Sequence, residues 1–485
     1  MYLGLDLGTS GLRGILVDDS GHVVGDAEVS ISTSTPKPGW SQQDPLDWTN
    51  ACDEVVGKLR VGNQQAFSKL RAIGLSGHMH GATLLDSDGE ILRPCILWND
   101  TRSADEARIL DQSPEMRAIS GNIVFPGFTA PKLEWLRSHE PDVFSKVDKV
   151  LLPKDYLRFW LTGEYISDMS DSAGTSWLNV DTRQWSERAL AIGHMRVEQM
   201  PSLVEGSDPG GELKVRLRQE WGLSNPVVVA GGAGDNAAAA CGIGSINDGT
   251  GFVSLGTSGV LLVAREAYAP DPETAVHCFC HAVPDRWIQM GVMLSATNSM
   301  NWLARNLGEP VERLAAAMPG ELNGPSAITF LPYLSGERTP HNNSHIRGAF
   351  LGVDISSEPA ELTQSVMEGV SFGMRDCLEA LKSTGTQPNS LMAVGGGARS
   401  RFWLETLATV LQVPLELPKG SEFGAAMGAA RLAICAANGA EPAQVMTPPE
   451  NQERIEPRGD LIDAYENEYR RYKQFYQALA PLAVR

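Results

Sequence analysis

Three glycine turns each follow an apolar run: Gly8-Thr9-Ser10-Gly11, Gly256-Thr257-Ser258-Gly259 and Gly395-Gly396-Gly397. Glycines let backbone N–H groups approach an anion closely, and the hydroxyls in two of these turns can donate to phosphate oxygens. None is a P-loop, because no G-x-x-x-x-G-K-[ST] occurs, and Gly231-x-x-Gly234 lacks the spacing of a dinucleotide fingerprint. Taken singly, each turn reads equally well as a tight connection needing a positive φ. Taken together, with two of them repeats, they favour one anion shared between two lobes. Asp6 stands just before the first turn. A carboxylate beside phosphate is repulsive unless a cation lies between them, and Mg2+ binds through one or two carboxylates plus substrate phosphates. Asp6 is expected in that role, with a turn-capping aspartate as the alternative. Arg13, just past the loop, is expected to neutralise phosphate charge, with an exposed strand arginine as the alternative. Asp235 ends the Gly231–Gly234 turn and opens an alanine-rich helix. It reads as an N-cap or as a general base. The helix dipole is expected to lower its pKa and keep it ionised, as acceptance of a hydroxyl proton during phosphoryl transfer requires. On local sequence the two readings stand level.

The elements that must position these residues follow from apolar periodicity and turn chemistry. Residues 2–5, 12–18 and 22–31 read as a strand meander, with Asp19-Ser20-Gly21 as a turn, and 46–59 reads as a helix behind Asp44-Pro45. Residues 72–77 form a strand that enters the loop His78-Met79-His80-Gly81. Residues 100–225 are richer in helical periodicity, and their tryptophans (135, 160, 177, 185, 221) read as core. Residues 227–230 are a short apolar strand before the Asp235 turn. Then the opening repeats: Leu7-Gly8-Thr9-Ser10-Gly11 recurs as Leu255-Gly256-Thr257-Ser258-Gly259, 248 residues later, with strands on both sides. An internal duplication is expected, with chance identity in a Gly/Ser-rich chain as the alternative, and a boundary near residue 245 then divides the chain into 1–244 and 245–485. In the second half, 361–381 is a long helix with Ser357 as cap and Pro359 in its first turn. Residues 391–394 are a strand entering the third glycine turn.

Composition sets the outer limits. The chain has 485 residues, 40 Lys+Arg and 59 Asp+Glu, a formal net charge of -19. That is roughly two to four domains. With 42% hydrophobic and 20% charged residues it is an ordinary globular composition, which excludes dominant disorder. The acidic balance excludes a general nucleic-acid coat and predicts an acidic surface around a small, backbone-built anion site. No run of about 18 apolar residues is present to span a membrane. The first apolar stretch holds Asp6 and lacks a basic leader, so a secretion signal is not expected and the cytoplasm is. Seven cysteines, scattered and odd in number, do not form a disulfide framework. The run His277-Cys278-Phe279-Cys280-His281 has four metal-ligating side chains. On a strand, however, its histidines and cysteines face opposite ways, so buried strand cysteines are expected and zinc is the alternative.

These residues resemble the FGGY carbohydrate kinases over essentially the whole chain. Gly4-Leu5-Asp6-Leu7-Gly8-Thr9-Ser10 is similar to the family's first phosphate motif. Gly127-Phe128-Thr129-Ala130-Pro131-Lys132-Leu133-Glu134-Trp135-Leu136 is similar to its first signature. Gly348-Ala349-Phe350-Leu351-Gly352-Val353, followed by Glu361-Leu362-Thr363-Gln364-Ser365-Val366-Met367-Glu368, resembles the second, and Gly395-Gly396-Gly397-Ala398 the adenosine-side motif. Trp40-Ser41-Gln42-Gln43-Asp44-Pro45, Met79-His80-Gly81-Ala82, Leu97-Trp98-Asn99-Asp100 and Ser335-Gly336-Glu337-Arg338-Thr339-Pro340-His341 are similar to the family's xylulose-kinase branch. Two positions depart: His78 stands where a glutamine is usual, and Ser138 where a charged or amide residue is usual. The resemblance implies an α/β fold of two actin-like (ribonuclease H-like) lobes, related to sugar kinases, heat-shock chaperone ATPases and actin, with a deep cleft. It implies transfer of the ATP γ-phosphoryl to the 5-hydroxyl of D-xylulose. Asp235 would be the general base, and Met79, His80, Asp235 and Asn236 would hold the open-chain ketose. Asp6 would orient hydrated Mg2+. Thr9, Ser10, Arg13, Gly256 and Thr257 would meet the phosphates, and Gly396, Gly397 and Ala398 the nucleotide. The implied partners are a small sugar and ATP, without nucleic acid or membrane. A homodimer, common in the family, is the expected assembly if there is one. Two alternatives stay open: a family kinase for ribulose, gluconate or a polyol, and an actin-like nucleotide switch. A dehydrogenase is disfavoured by the missing fingerprint.

Overall fold

The structure is a computed structural model that describes residues 1–419 and 424–483. Its first sheet begins with the antiparallel strands β1 (Tyr2–Gly8), β2 (Gly11–Val17) and β3 (Val23–Ser30). Helix α1 (Pro45–Gly62) starts where the Asp44 carboxylate accepts the Leu46 N–H at 3.0 Å and Pro45 presets the first φ. Trp48, Cys52, Val55, Val56 and Leu59 recur on its buried face. Next come β4 (Ala72–Gly77), α2 (Pro153–Thr162), β5 (Pro209–Glu212), β6 (Val228–Ala230), β7 (Ala233–Gly234) and α3 (Asp235–Gly242). The strand order is β5-β6-β4-β1-β2-β3, with β7 also on β4; β4 runs parallel to both β1 and β6. A parallel strand is covered on both faces. Leu3, Leu5 and Leu7 of β1 accordingly join the α1 core, while Tyr2 and Gly4 face the other way.

The second half repeats the plan with β8 (Gly251–Leu255), β9 (Gly259–Arg265), β10 (His277–Cys280) and β11 (Trp287–Met293). It continues with α4 (Thr297–Leu307), α5 (Pro359–Ser383), β12 (Leu391–Val394), α6 (Arg401–Leu411), β13 (Leu415–Pro418), α7 (Gly424–Asn438) and β14 (Asn451–Ile455). The order is β10-β11-β9-β8-β12-β13-β14, with β8, β12 and β13 parallel. The two copies of the pentapeptide are both hairpin turns, but in different registers. Leu7 pairs Leu12 and Gly8 pairs Gly11, leaving a two-residue turn, whereas Leu255 pairs Gly259, leaving three. The counterpart of Asp6 is Ser254 and that of Arg13 is Leu261, so the charged pair exists in one lobe alone.

The helices after the two sheets exchange places. Ala237, Ala238, Ala240 and Cys241 of α3 join an apolar cluster with Phe252, Leu262, Ile288 and Met290 of the second sheet. Ala426, Ala430 and Ala433 of α7 pack with Tyr2, Ile15 and Ala72 of the first. Only glycine permits this approach: a Cβ on Gly74 would lie 1.8 Å from the Ala429 carbonyl oxygen, and one on Gly4 2.1 Å from that of Ala426.

One local expectation is corrected, and the expected buried strand cysteines, Cys278 and Cys280, are found. Helix α5 is capped by Glu358 and not Ser357; the Glu358 N–H donates to Glu361 at 3.2 Å, because the Ser357 hydroxyl is taken by the Asp354 N–H. In β10 the buried histidines have separate partners: His277 meets Arg338 at 3.4 Å, and His281, just beyond the strand, meets the Ser245 carbonyl at 3.0 Å. Among the described residues no helix is long and apolar enough to cross a membrane.

Candidate active site

The registers bring the ends of three strands together. Asp6 of β1 lies beside Ser76 of β4, and Ser76 beside Ala233 of β7. The Ser76 hydroxyl donates to Asp6 at 2.9 Å. Arg13 of β2 is the register partner of Asp6 on β1 and also pairs with Asp26 at 3.7 Å. Burial pushes Asp6 above the usual carboxylate range, and Ser76 and Arg13 pull it partly back. Asp235 is the first residue of α3; the cap position is Gly234, which has no side chain to offer. Its Oδ1 accepts the Asn236 N–H at 2.7 Å and the Asn236 amide at 2.9 Å. The expected lowering of its pKa is not found. Burial, then the nearby Asp6, push it up to about 6, outweighing the Asn236 bonds. A dipole contribution of fractions of a kcal/mol loses to desolvation at a site closed on most sides.

The sugar-loop candidates sit against this wall. A Cβ on Gly234 would meet the Met79 side chain at 2.9 Å, so the two are in contact. His80 takes a left-handed conformation, φ 70°, uncommon outside glycine, and several bonds hold it there. Its Nδ1 lies 2.7 Å from the Gly174 carbonyl, which makes Nδ1 the protonated nitrogen. Lys132 donates to the carbonyls of His80 and Gly127, both at 2.7 Å, and the Thr129 hydroxyl donates to His80 at 3.1 Å. The ring stacks on Phe128 with centroids 4.6 Å apart. Burial, with lesser repulsion from Lys132 and Arg338, lowers the imidazole pKa to about 3 against the Gly174 bond. Burial likewise brings Lys132 down to about 7. The Gly127–Leu136 stretch is therefore a clamp on the His80 backbone. His78 faces away, edge-on to Trp48 at 5.8 Å, and burial takes it to about 3.

The phosphate candidates divide between the lobes. The Thr9 hydroxyl accepts from the Trp98 indole at 3.0 Å, and its carbonyl from Gln43 at 2.7 Å. Ser10 is exposed at the turn's tip. In the second lobe the Gly256 carbonyl accepts from the Thr297 hydroxyl at 2.7 Å, and the Thr257 carbonyl from the Ala296 N–H at 3.0 Å. Gly395 has φ 91°, and a Cβ there would lie 2.7 Å from the Leu255 carbonyl oxygen, so the second and third glycine turns touch. Gly396 and Gly397 line a cavity of about 680 Å³ with Thr297, Asn301, Arg399 and Trp403. Ala398, in the same turn, packs toward the second lobe's core.

Comparison with known proteins decides the family. The profile described as FGGY family of carbohydrate kinases, N-terminal domain, matches residues 1–242, and the C-terminal one matches 251–437. The chain belongs to the FGGY family of carbohydrate kinases. It has the family's two actin-like lobes and is a carbohydrate kinase that draws on ATP. It is 44% identical to xylulose kinase of Escherichia coli (strain K12), over 99% of this chain and all of the relative. It is 46% identical to xylulose kinase of Klebsiella pneumoniae over 89% of each chain. The crystal structure of a xyloylose kinase from Brucella ovis superposes with a TM-score of 0.98 at 55% identity, covering 99% of both. Four residues to which the motifs gave no separate role hold the candidates in place: Ser76 on Asp6, Trp98 on Thr9, and Gly174 and Lys132 on His80. The signature flagged Lys132 as a motif member, but nothing in the sequence tied it to the His80 carbonyl.

Proposed function

We propose that the chain transfers the γ-phosphoryl group of ATP to the 5-hydroxyl of D-xylulose, giving D-xylulose 5-phosphate and ADP, with Asp235 as general base. The observation that carries the reading is Asp235 itself, pushed up to about 6 beside Asp6, on the wall that holds Met79 and His80. The full-length likeness to xylulose kinases supplies the substrate. Both Asn236 bonds fall on Oδ1, so Oδ2 is the oxygen for the sugar hydroxyl. As the O–P bond forms, the hydroxyl proton passes to Asp235. With Nδ1 protonated, the His80 Nε2 is an acceptor for a sugar hydroxyl, and the Asn236 amide lies at the same end of α3. Two neighbouring, half-buried carboxylates are a donor set that fits a divalent cation. Asp6 would hold Mg2+, directly or through its waters, and the ion would screen phosphate charge. Thr9, Ser10, Arg13, Gly256 and Thr257 meet the phosphates in this reading, and Gly396, Gly397 and Ala398 the nucleotide. Residues 1–244 thus serve the sugar and the first phosphate contacts, and 245–485 the nucleotide. A panel of D-xylulose, ribulose, gluconate and polyols, scored by kcat/KM from ADP release, tests the substrate. D-xylulose is expected to lead by at least about tenfold, the low end of the discrimination that enzyme pockets achieve. A higher value for another sugar overturns the assignment.

A further inference from the structure

Five ionisable side chains, Lys154, Asp155, Arg158, Asp168 and Asp171, are fully buried together in the first lobe. The Lys154 ammonium lies 2.8 Å from Asp168 and 3.2 Å from Asp171 and also pairs with Asp155. Two cations meet three carboxylates, and burial holds Asp171 well above the usual carboxylate range, so one proton brings the cluster near neutrality. None of these groups touches the sugar or phosphate positions assigned above. Their outward bonds nevertheless end on the catalytic wall. Arg158 donates to the carbonyls of both Ala230 and Gly231. The Ser170 hydroxyl donates to Asp168 and accepts the Gly234 N–H at 3.2 Å. Gly174, at the end of the same segment, accepts from His80. Between these anchors Gly232 has φ 74°, and a Cβ there would lie 2.4 Å from the Leu75 carbonyl oxygen. Between β6 and β7 the chain steps off the ladder at Gly231 and Gly232, whose N–H groups donate to the Asp208 carbonyl at 2.7 Å and the Gly206 carbonyl at 3.0 Å, and the Arg158 and Ser170 side chains add their bonds at Ala230, Gly231 and Gly234.

We propose that Arg158 and the Lys154–Asp168–Ser170 chain are positioning residues. They fix the backbone that presents Asp235 and, through Gly174, the ring of His80, so that base and sugar ligand move as one rigid unit. The inference rests on the reading of Asp235 as base. A charge cluster suits the task because its members hold each other at fixed distances and resist the sliding that an apolar core of equal volume permits.

The test compares Ser170→Ala, Ser170→Thr and Arg158→Lys with Asp235→Asn in the full chain. It measures kcat, KM for ATP and for D-xylulose, and thermal melting. Ser170→Ala and Arg158→Lys, which keeps the charge but loses the two-carbonyl fork, are expected to lower kcat by about ten- to a hundredfold, as small misplacements do. KM for ATP should stay within about twofold, and Ser170→Thr, which keeps the hydroxyl, should recover most of the rate. Wild-type kcat in the folded Ser170→Ala and Arg158→Lys variants overturns the proposal. So does a Thr variant as slow as Ala, or a parallel loss of ATP binding. Unfolding of both variants assigns the cluster to stability alone and overturns it too. Wild-type turnover in Asp235→Asn sinks the base reading itself; an inactive Asp235→Asn beside fully active Ser170 and Arg158 variants sinks this inference alone.

Discussion

Asp235 must be ionised to take a proton and buried to be a strong enough base, and these demands set its pH behaviour. With its carboxyl pushed up to about 6, kcat/KM should fall as pH drops through about 6, because protonation removes the base. His80, already neutral down to about 3, should add no limb between pH 5 and 8. A pH–rate profile checks both; a midpoint near the ordinary carboxylate value of about 4 contradicts the burial argument. Asp235→Asn should cost at least about a thousandfold in kcat, within the range of general-base losses. The same change should stabilise the fold at pH 8. A carboxylate whose folded pKa is raised penalises the folded state above its unfolded pKa, and Asn removes that penalty. The expected gain is about 2 kcal/mol, shrinking as pH falls through about 6 and gone below about 4, read from urea unfolding at several pH values. Asp235 was legible because a glycine turn before an alanine helix is conspicuous. Its pKa direction was not, because the dipole can be read from sequence position and desolvation cannot. Arg158 and Ser170 were invisible for a related reason: each looks like an ordinary polar residue until its buried partners are known.

At the level of elements, alternating apolar residues and turn chemistry revealed the hairpins, and the Asp44-Pro45 pair revealed the start of α1. The register difference between the two pentapeptide turns was hidden, since identical residues specify what a turn can be made of and not how many residues it leaves unpaired. The docking of α7 was hidden as well: an alanine-rich helix announces burial but not which sheet will cover it. Its closeness to the first sheet gives a paired prediction. Gly74→Ala should destabilise by about 3 kcal/mol, because the new Cβ meets backbone oxygen at 1.8 Å and backbone cannot step aside cheaply. Gly57→Ala, in α1 with open space around it, should stabilise by about 0.5–1 kcal/mol. Thermal melts of the two variants decide; a harmless Gly74→Ala would mean that α7 does not seat on β4 as described.

Across the whole molecule, the proposed base and sugar ligands belong to one lobe and the cavity of about 680 Å³ proposed for the nucleotide to the other, with the packed helices α3 and α7 between them. In-line transfer needs both sets of residues around the same phosphate, and lobe closure supplies that. The radius of gyration measured by solution X-ray scattering should fall when D-xylulose and a non-hydrolysable ATP analogue are added together, and fall less with either alone. An unchanged value with both present contradicts closure. The exchange of helices has a consequence in time as well as in space. The first sheet leaves the ribosome early, but the helix that seals one of its faces lies at Gly424–Asn438. Roughly 200 residues, on the order of 10–40 s of translation, separate the two. The nascent amino-terminal half must wait with the groove over Gly4 and Gly74 bare. It is the stage of this protein's life at which a chaperone has the most to shield, and a ribosome stalled in the second half would strand the chain there.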